Sequence, residues 1–119
     1  MEFEFCKNEN YTLVKVNSEK LDTNNVPDLK SELVVKYRNG VKNIILDLSR
    51  CSYCDSSGLR AILVANRLCE DAVGTFIITG LQPDVERLVK MFMLHTIITI
   101  TRTVKEAEEV IHKKQNFSN

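Results

Sequence analysis

Asn43-Ile44-Ile45-Leu46-Asp47-Leu48-Ser49-Arg50-Cys51-Ser52-Tyr53-Cys54-Asp55-Ser56-Ser57-Gly58-Leu59-Arg60 is the stretch whose reading decides the fold. Its first part, Asn43 to Leu48, is a short, mainly apolar run of strand length, suited to the centre of a sheet covered on both faces. Its last part opens a helix from Ser56 to about Glu70. At about 100° per residue, Ala61, Ile62, Val64, Ala65, Leu68 and Cys69 form one broad apolar arc. Ser49 to Asp55 is the loop between them. Strand, loop and helix in that order begin a βαβ unit, and the flanking sequence repeats the pattern.

Upstream, Phe3 and Phe5 alternate with Glu2 and Glu4, and Leu13-Val14-Lys15-Val16 follows a polar Asn8-Glu9-Asn10 turn. Two strands in a hairpin are expected. From Thr23 the period changes: Val26, Leu29, Leu33 and Tyr37 recur at helical spacing. Asp22, Thr23 and Asn24 offer cap oxygens, Pro27 suits the first turn, and Gly40 can stop the helix.

Downstream, Thr75 to Thr79 reads as a strand ending at Gly80. Val85, Leu88, Val89 and Phe92 give the stripe of a third helix, and Ile97 to Ile100 reads as a short strand. Thr103 and Glu106 form a capping box for a last helix carrying Val104, Ala107, Val110 and Ile111. The expected order is β-β-α-β-α-β-α-β-α, an α/β domain with a mixed β-sheet covered by helices. It spans 1–112, with 113–119 as a polar C-terminal tail.

The 119 residues make one domain, long enough to bury a core without disulfides or metal. Sixteen basic and sixteen acidic residues cancel, which argues against nucleic acid or an anionic membrane as partner. The N-terminus lacks the basic and apolar regions of a signal peptide, and no apolar run approaches the ~18 residues of a membrane span. Cysteines at 6, 51, 54 and 69 are too few and too irregular for a secreted disulfide scaffold, so a cytoplasmic chain is expected.

Asp55-Ser56-Ser57-Gly58 has two readings. Asp and Ser are the best helix N-caps, and capping alone explains the residue types. The same helix start also presents free N–H groups and partial positive charge, which favour a phosphate carried by a serine there. Phosphoserine adds about −1.5 to −2 charges, costly to desolvate in a partner interface. Such a switch would change the surface rather than the shape.

Asp55-Ser56-Ser57-Gly58-Leu59 after a hydrophobic strand, before an Ala/Ile/Leu/Val-rich helix, resembles the phosphorylation motif of bacterial anti-anti-sigma factors, the STAS domains. The resemblance extends over nearly the whole chain. Ser18-Glu19-Lys20-Leu21-Asp22 lies where that family has a Gly-Glu-Leu-Asp-like turn, and Gln82 to Leu88 looks like its third helix. The resemblance implies partner switching. The unphosphorylated protein would bind an anti-sigma factor that is also a Ser/Thr kinase and so free a sigma factor. The kinase would inactivate it by phosphorylation, and a PP2C-type phosphatase would restore it. Carried over, Ser57 is the expected phosphoacceptor and Ser56 the runner-up. Asp55 would orient the loop, Gly58 would permit tight backbone, and Asp22 would line the neighbouring surface. No catalysis and no cofactor are implied, and a monomer is expected.

Two departures stand out. Ser18 with an extra Lys20 replaces the family's Gly-containing turn, and Arg60 stands where a small residue is common. Arg60, Leu63 and Arg67 lie off the apolar arc, a prospective partner-binding face, whereas Leu59 is expected beneath a neighbouring loop. The alternative within the same family is a scaffold or regulatory subunit of a larger assembly, stressosome-like or transporter-associated, with a structural motif hydroxyl. Cys51-Ser52-Tyr53-Cys54 has the spacing of a redox motif, but it precedes the helix, and Asp55 would raise the neighbouring thiol pKa. Neither histidine belongs to a nucleophilic triad, and no metal site is expected.

Overall fold

Alternation in the central strands decides which side of the sheet each helix covers. Among residues 2–117, which the computed structural model describes, the order is β1 (Phe3–Lys7), β2 (Thr12–Val16), β3 (Lys20–Leu21), α1 (Val26–Arg38), β4 (Ile44–Asp47), β5 (Tyr53–Cys54), α2 (Ser56–Asp71), β6 (Phe76–Thr79), α3 (Pro83–Met91), β7 (Thr99–Thr101) and α4 (Val104–Phe117). The main sheet runs β1-β2-β4-β6-β7, antiparallel only between β1 and β2. This is the expected mixed α/β sheet. Ile44, Leu46, Phe76 and Ile78 point into a core with α1, α2 and α3. Ile45 and Ile77 point the other way, against Ala107 and Ile111 of α4. Burial on both faces explains the apolar run Ile44–Ile45–Leu46 of β4.

The hairpin turn between β1 and β2 is closed by Asn8, whose Oδ1 accepts the N–H groups of Asn10 and Tyr11 at 2.8 and 2.9 Å. Thr103 Oγ1 accepts the Glu106 N–H, while Glu106 reaches back one residue further than a capping box requires, to the Arg102 N–H. Three local expectations need correction. None of the three side-chain oxygens at Asp22, Thr23 and Asn24 caps α1. Asn25 is the N-cap residue, and its side chain bridges the Asp22 N–H and the Lys20 carbonyl instead. The strand expected at Ile97–Ile100 starts two residues later, after a single 3-10 turn at Leu94–Thr96. Lys113 to Phe117, given to a polar tail from sequence, continue α4; the rest of that stretch lies outside the described residues.

The helix ends show why Phe92 does not close the α3 stripe. α3 stops at Met91, and the chain turns through Met93 at φ 61°, leaving Phe92 exposed. α2 ends the same way, with Val73 at φ 57° and 88% exposed. Glycine normally fills this left-handed position after a helix, and an L side chain there costs about 1–2 kcal/mol. Val73 is β-branched, which makes the strain worse. Both side chains are exposed, so packing offsets little of the cost. Val73→Gly and Met93→Gly should therefore each raise the unfolding free energy in urea by about 1 kcal/mol, less the extra chain entropy of glycine. Val73→Ala should give no comparable gain.

Candidate functional site

The motif helix begins on a short two-stranded ribbon that has no periodicity to reveal it in the sequence. β3 pairs with β5 in parallel, Lys20 opposite Tyr53 and Leu21 opposite Cys54. The Glu19 carbonyl accepts the N–H groups of Ser52 and Tyr53, and the Leu21 carbonyl accepts that of Asp55 at 3.3 Å. This ribbon brings the Asp22 turn beside the start of α2, although the two are some thirty residues apart. Gln82 Nε2 donates to the Ser49 carbonyl at 2.8 Å and ties the loop before α3 to the same place.

Asp55 is the N-cap of α2. Its Oδ1 accepts the Gly58 N–H at 3.0 Å and the Ser57 hydroxyl at 2.6 Å. The Ser57 hydroxyl, the Gly58 N–H and backbone N–H groups of Ser57 and Thr23 together hold the Asp55 carboxyl below its ordinary pKa. It is therefore ionised at neutral pH. Ser57 is half-buried with its hydroxyl fixed; Ser56 is exposed, and its side chain has no hydrogen bond among the described residues. Asp22 is half-buried in the adjoining turn, where its Oδ1 accepts the Asn24 N–H at 2.9 Å. Asp22, Asp55, Ser56, Ser57 and Gly58 thus meet at one end of the sheet.

Gly58 is there for space. A Cβ at this position would lie 2.5 Å from the Leu21 carbonyl oxygen and 2.5 Å from Cys54 Sγ. The helix start is pressed onto β3, and backbone cannot yield as a side-chain tip can. Leu59 is buried, as expected of a first-turn residue under a loop, while Arg60, Leu63 and Arg67 are exposed along α2. Asn66 is buried, and its Nδ2 donates to Glu70 Oε1 at 2.9 Å.

The Cys-x-x-Cys pair is packing. Cys51 and Cys54 are free thiols in the core, their Sγ atoms directed at the Tyr53 and Asp55 carbonyls. Burial pushes the Cys51 thiol up, and burial with the nearby Cys51 and Asp55 pushes Cys54 up to about 12. Neither thiol is the reactive thiolate that redox exchange needs. His95 lies exposed in the 3-10 turn, away from the motif. No group of three or more potential metal ligands exists among the described residues, and no helix there is long and apolar enough to cross a membrane.

The site is a serine pair at a capped helix start on an α/β frame. The chain belongs to the STAS domain family, whose pattern it matches over residues 3–107. BtrV of Bordetella bronchiseptica, named among the anti-sigma factor antagonists, is 25% identical over 83 residues, 70% of this chain and 72% of BtrV. A Thermotoga maritima protein named as an anti-sigma factor antagonist superposes with a TM-score of 0.83 at 24% identity, over 92% of this chain and 94% of its own. The anti-sigma factor antagonist SpoIIAA in its unphosphorylated form gives 0.81 at 21% identity, over 93% and 96%. The same Bacillus cell fate determinant in its phosphorylated form gives 0.74 at 22%, over 92% and 98%. At these identities the structural likeness is one of fold.

The Gly58 contact sets a sign that helix propensity alone would get wrong. Alanine is the better helix former by about 0.8–1.0 kcal/mol, yet Gly58→Ala should destabilise by about 1–3 kcal/mol through overpacking against Leu21 and Cys54. Chemical denaturation measures it. The thiols supply a second check. Cys54 and Cys69, both pushed up to about 12 by burial, are neutral in the folded chain and ionise near 9 when unfolded. Their contribution is intact below pH 9 and is lost as pH rises from 9 towards 12. Denaturation midpoints should fall over that window, and thiol reagents at neutral pH should label exposed Cys6 first.

Proposed function

We propose that this chain is a cytoplasmic anti-sigma factor antagonist that works by phosphorylation-controlled partner switching. The unphosphorylated form binds a kinase-type anti-sigma factor through the surface around Asp22, Arg60, Leu63 and Arg67, and so frees a sigma factor. Ser57 is the phosphoacceptor, and a PP2C-type phosphatase reverses the modification. The observation that carries the reading is the Ser57 hydroxyl held 2.6 Å from the Asp55 carboxylate at the start of α2 in a STAS domain. Asp55 fixes the hydroxyl rotor, which lowers the cost of presenting it to a kinase. The names of BtrV and SpoIIAA, and the existence of SpoIIAA in phosphorylated and unphosphorylated forms, support the same reading.

Phosphate on Ser57 removes the O–H that donates to Asp55, while the other anchors of the helix start do not involve that hydroxyl. Those anchors are the Leu21 carbonyl, the Asp55 carboxylate and the close seat of Gly58. What changes is surface charge, which a partner interface must desolvate or repel.

Incubation with the cognate kinase and ATP, followed by mass spectrometry, tests the assignment. One phosphate is expected on the wild type and on Ser56→Ala, and none on Ser57→Ala. Phosphate that persists in Ser57→Ala and vanishes in Ser56→Ala would move the site to Ser56. A chain that binds its partner but is never phosphorylated would be a scaffold subunit of a larger assembly. Ser57→Asp should bind the partner at least about tenfold more weakly, since a lost or repelled charge contact is worth more than ~1.4 kcal/mol.

A further inference from the structure

Charge on α2 is unevenly satisfied. At about 3.6 residues per turn, Ser56, Arg60, Leu63 and Arg67 fall on one stripe, and all four are exposed. The acids nearest in sequence accept hydrogen bonds from neutral donors and pair with neither arginine. Asp55 accepts from Ser57 and Gly58, Glu70 from Asn66, and Asp71 from the Tyr37 hydroxyl. Among the described residues neither Arg60 nor Arg67 has an ion-pair partner. Two free guanidinium groups on either side of Leu63 fit a partner surface with carboxylates flanking an apolar contact.

The phosphoacceptor competes for one of them. Ser57 and Arg60 stand at i,i+3 and Ser56 and Arg60 at i,i+4, spacings that place Cβ atoms about 5–6 Å apart on a helix. An arginine fork reaches a phosphate across that gap. The phosphate would also arrive in an acidic setting. The ionised Asp55 carboxylate lies against the Ser57 oxygen, and Asp22 stands in the adjoining turn. Arg60 is the cation one helical turn away that can offset this.

We propose that phosphate on the motif serine takes Arg60 as its counter-ion within the same chain, and so withdraws Arg60 from the partner face. The inference rests on the partner-switching reading. It adds that phosphorylation acts by capture as well as by repulsion. The Arg60–Leu63–Arg67 face loses half of its positive charge while the phosphate adds about two negative ones beside it. Arg60 is then a positioning residue for the phosphorylated state and a contact residue in the free one.

The test is a 31P NMR titration of the full chain carrying phosphoserine encoded at position 57, so that no kinase is needed. The second ionisation of the phosphate, ordinarily near pH ~6, should fall at least about half a unit lower in the wild type than in Arg60→Gln. Arg60→Lys should keep part of the shift, because the charge remains and the fork is lost. Arg67→Gln, two turns further along, should leave it unchanged. Identical titrations for wild type and Arg60→Gln overturn the proposal, as does an equal effect from Arg67→Gln. Because the phosphate is installed during synthesis, that outcome leaves the partner-switching reading standing; absence of kinase-dependent phosphate undermines the reading itself.

Discussion

The close seat of α2 on the Leu21 main chain is the constraint on which the functional end of the molecule depends. One carbonyl accepts the Asp55 N–H and leaves no room for a side chain at position 58. That contact fixes where the helix starts, and the start fixes where the two serines stand. It also couples the Asp22 turn to the motif, because Leu21 is the last residue of β3 and Asp22 follows it. A two-residue ribbon thus does what a longer strand does elsewhere: it sets the register between a loop and a helix.

Topology adds the second constraint. β2, β4, β6 and β7 run parallel, so the loops that follow them gather at one end of the sheet. The Asp22 turn, the motif loop and Gln82 all belong to that end, where open parallel sheets generally place their functional groups. The left-handed residues Val73 and Met93 follow the C-termini of α2 and α3 and so lie at the opposite end, clear of the serine pair. Their strain is separated from the site by the length of the sheet.

Much of this was legible from the chain alone, for reasons that can be named. β4 and β6 announce themselves because burial on both faces demands apolar runs, and α1 and α2 because one buried face imposes helical spacing. Cap chemistry locates the start of α2, and the motif resemblance points to the STAS family. What was not legible has no period to read. β3 and β5 are two residues each, defined by hydrogen bonds to chain some thirty residues away. The α1 cap was misassigned because the Asn25 side chain serves tertiary contacts with Lys20 and Asp22, which local propensity cannot weigh. Phe92 was assigned to the core by spacing, but the helix carrying the spacing ends one residue earlier. The burial of Asn66, a polar type that gives no sign of it, is balanced by Glu70 one turn on.

The chemistry of the motif follows from how its acids are spent. Asp55 is committed to capping and to holding the Ser57 hydroxyl, Glu70 to Asn66, and Asp71 to Tyr37, where the bond ties the end of α2 to α1. Each commitment stabilises the frame, and none of these carboxylates forms an ion pair with Arg60 or Arg67. Both guanidinium groups therefore stay exposed on the helix stripe that begins at Ser56. Fold and signal share one set of side chains: the groups that seat the helix also decide which charges remain for a partner or a phosphate. In the proposed switch, a modification there would alter recognition while the backbone contacts at Leu21 and Gly58 hold the helix start in place.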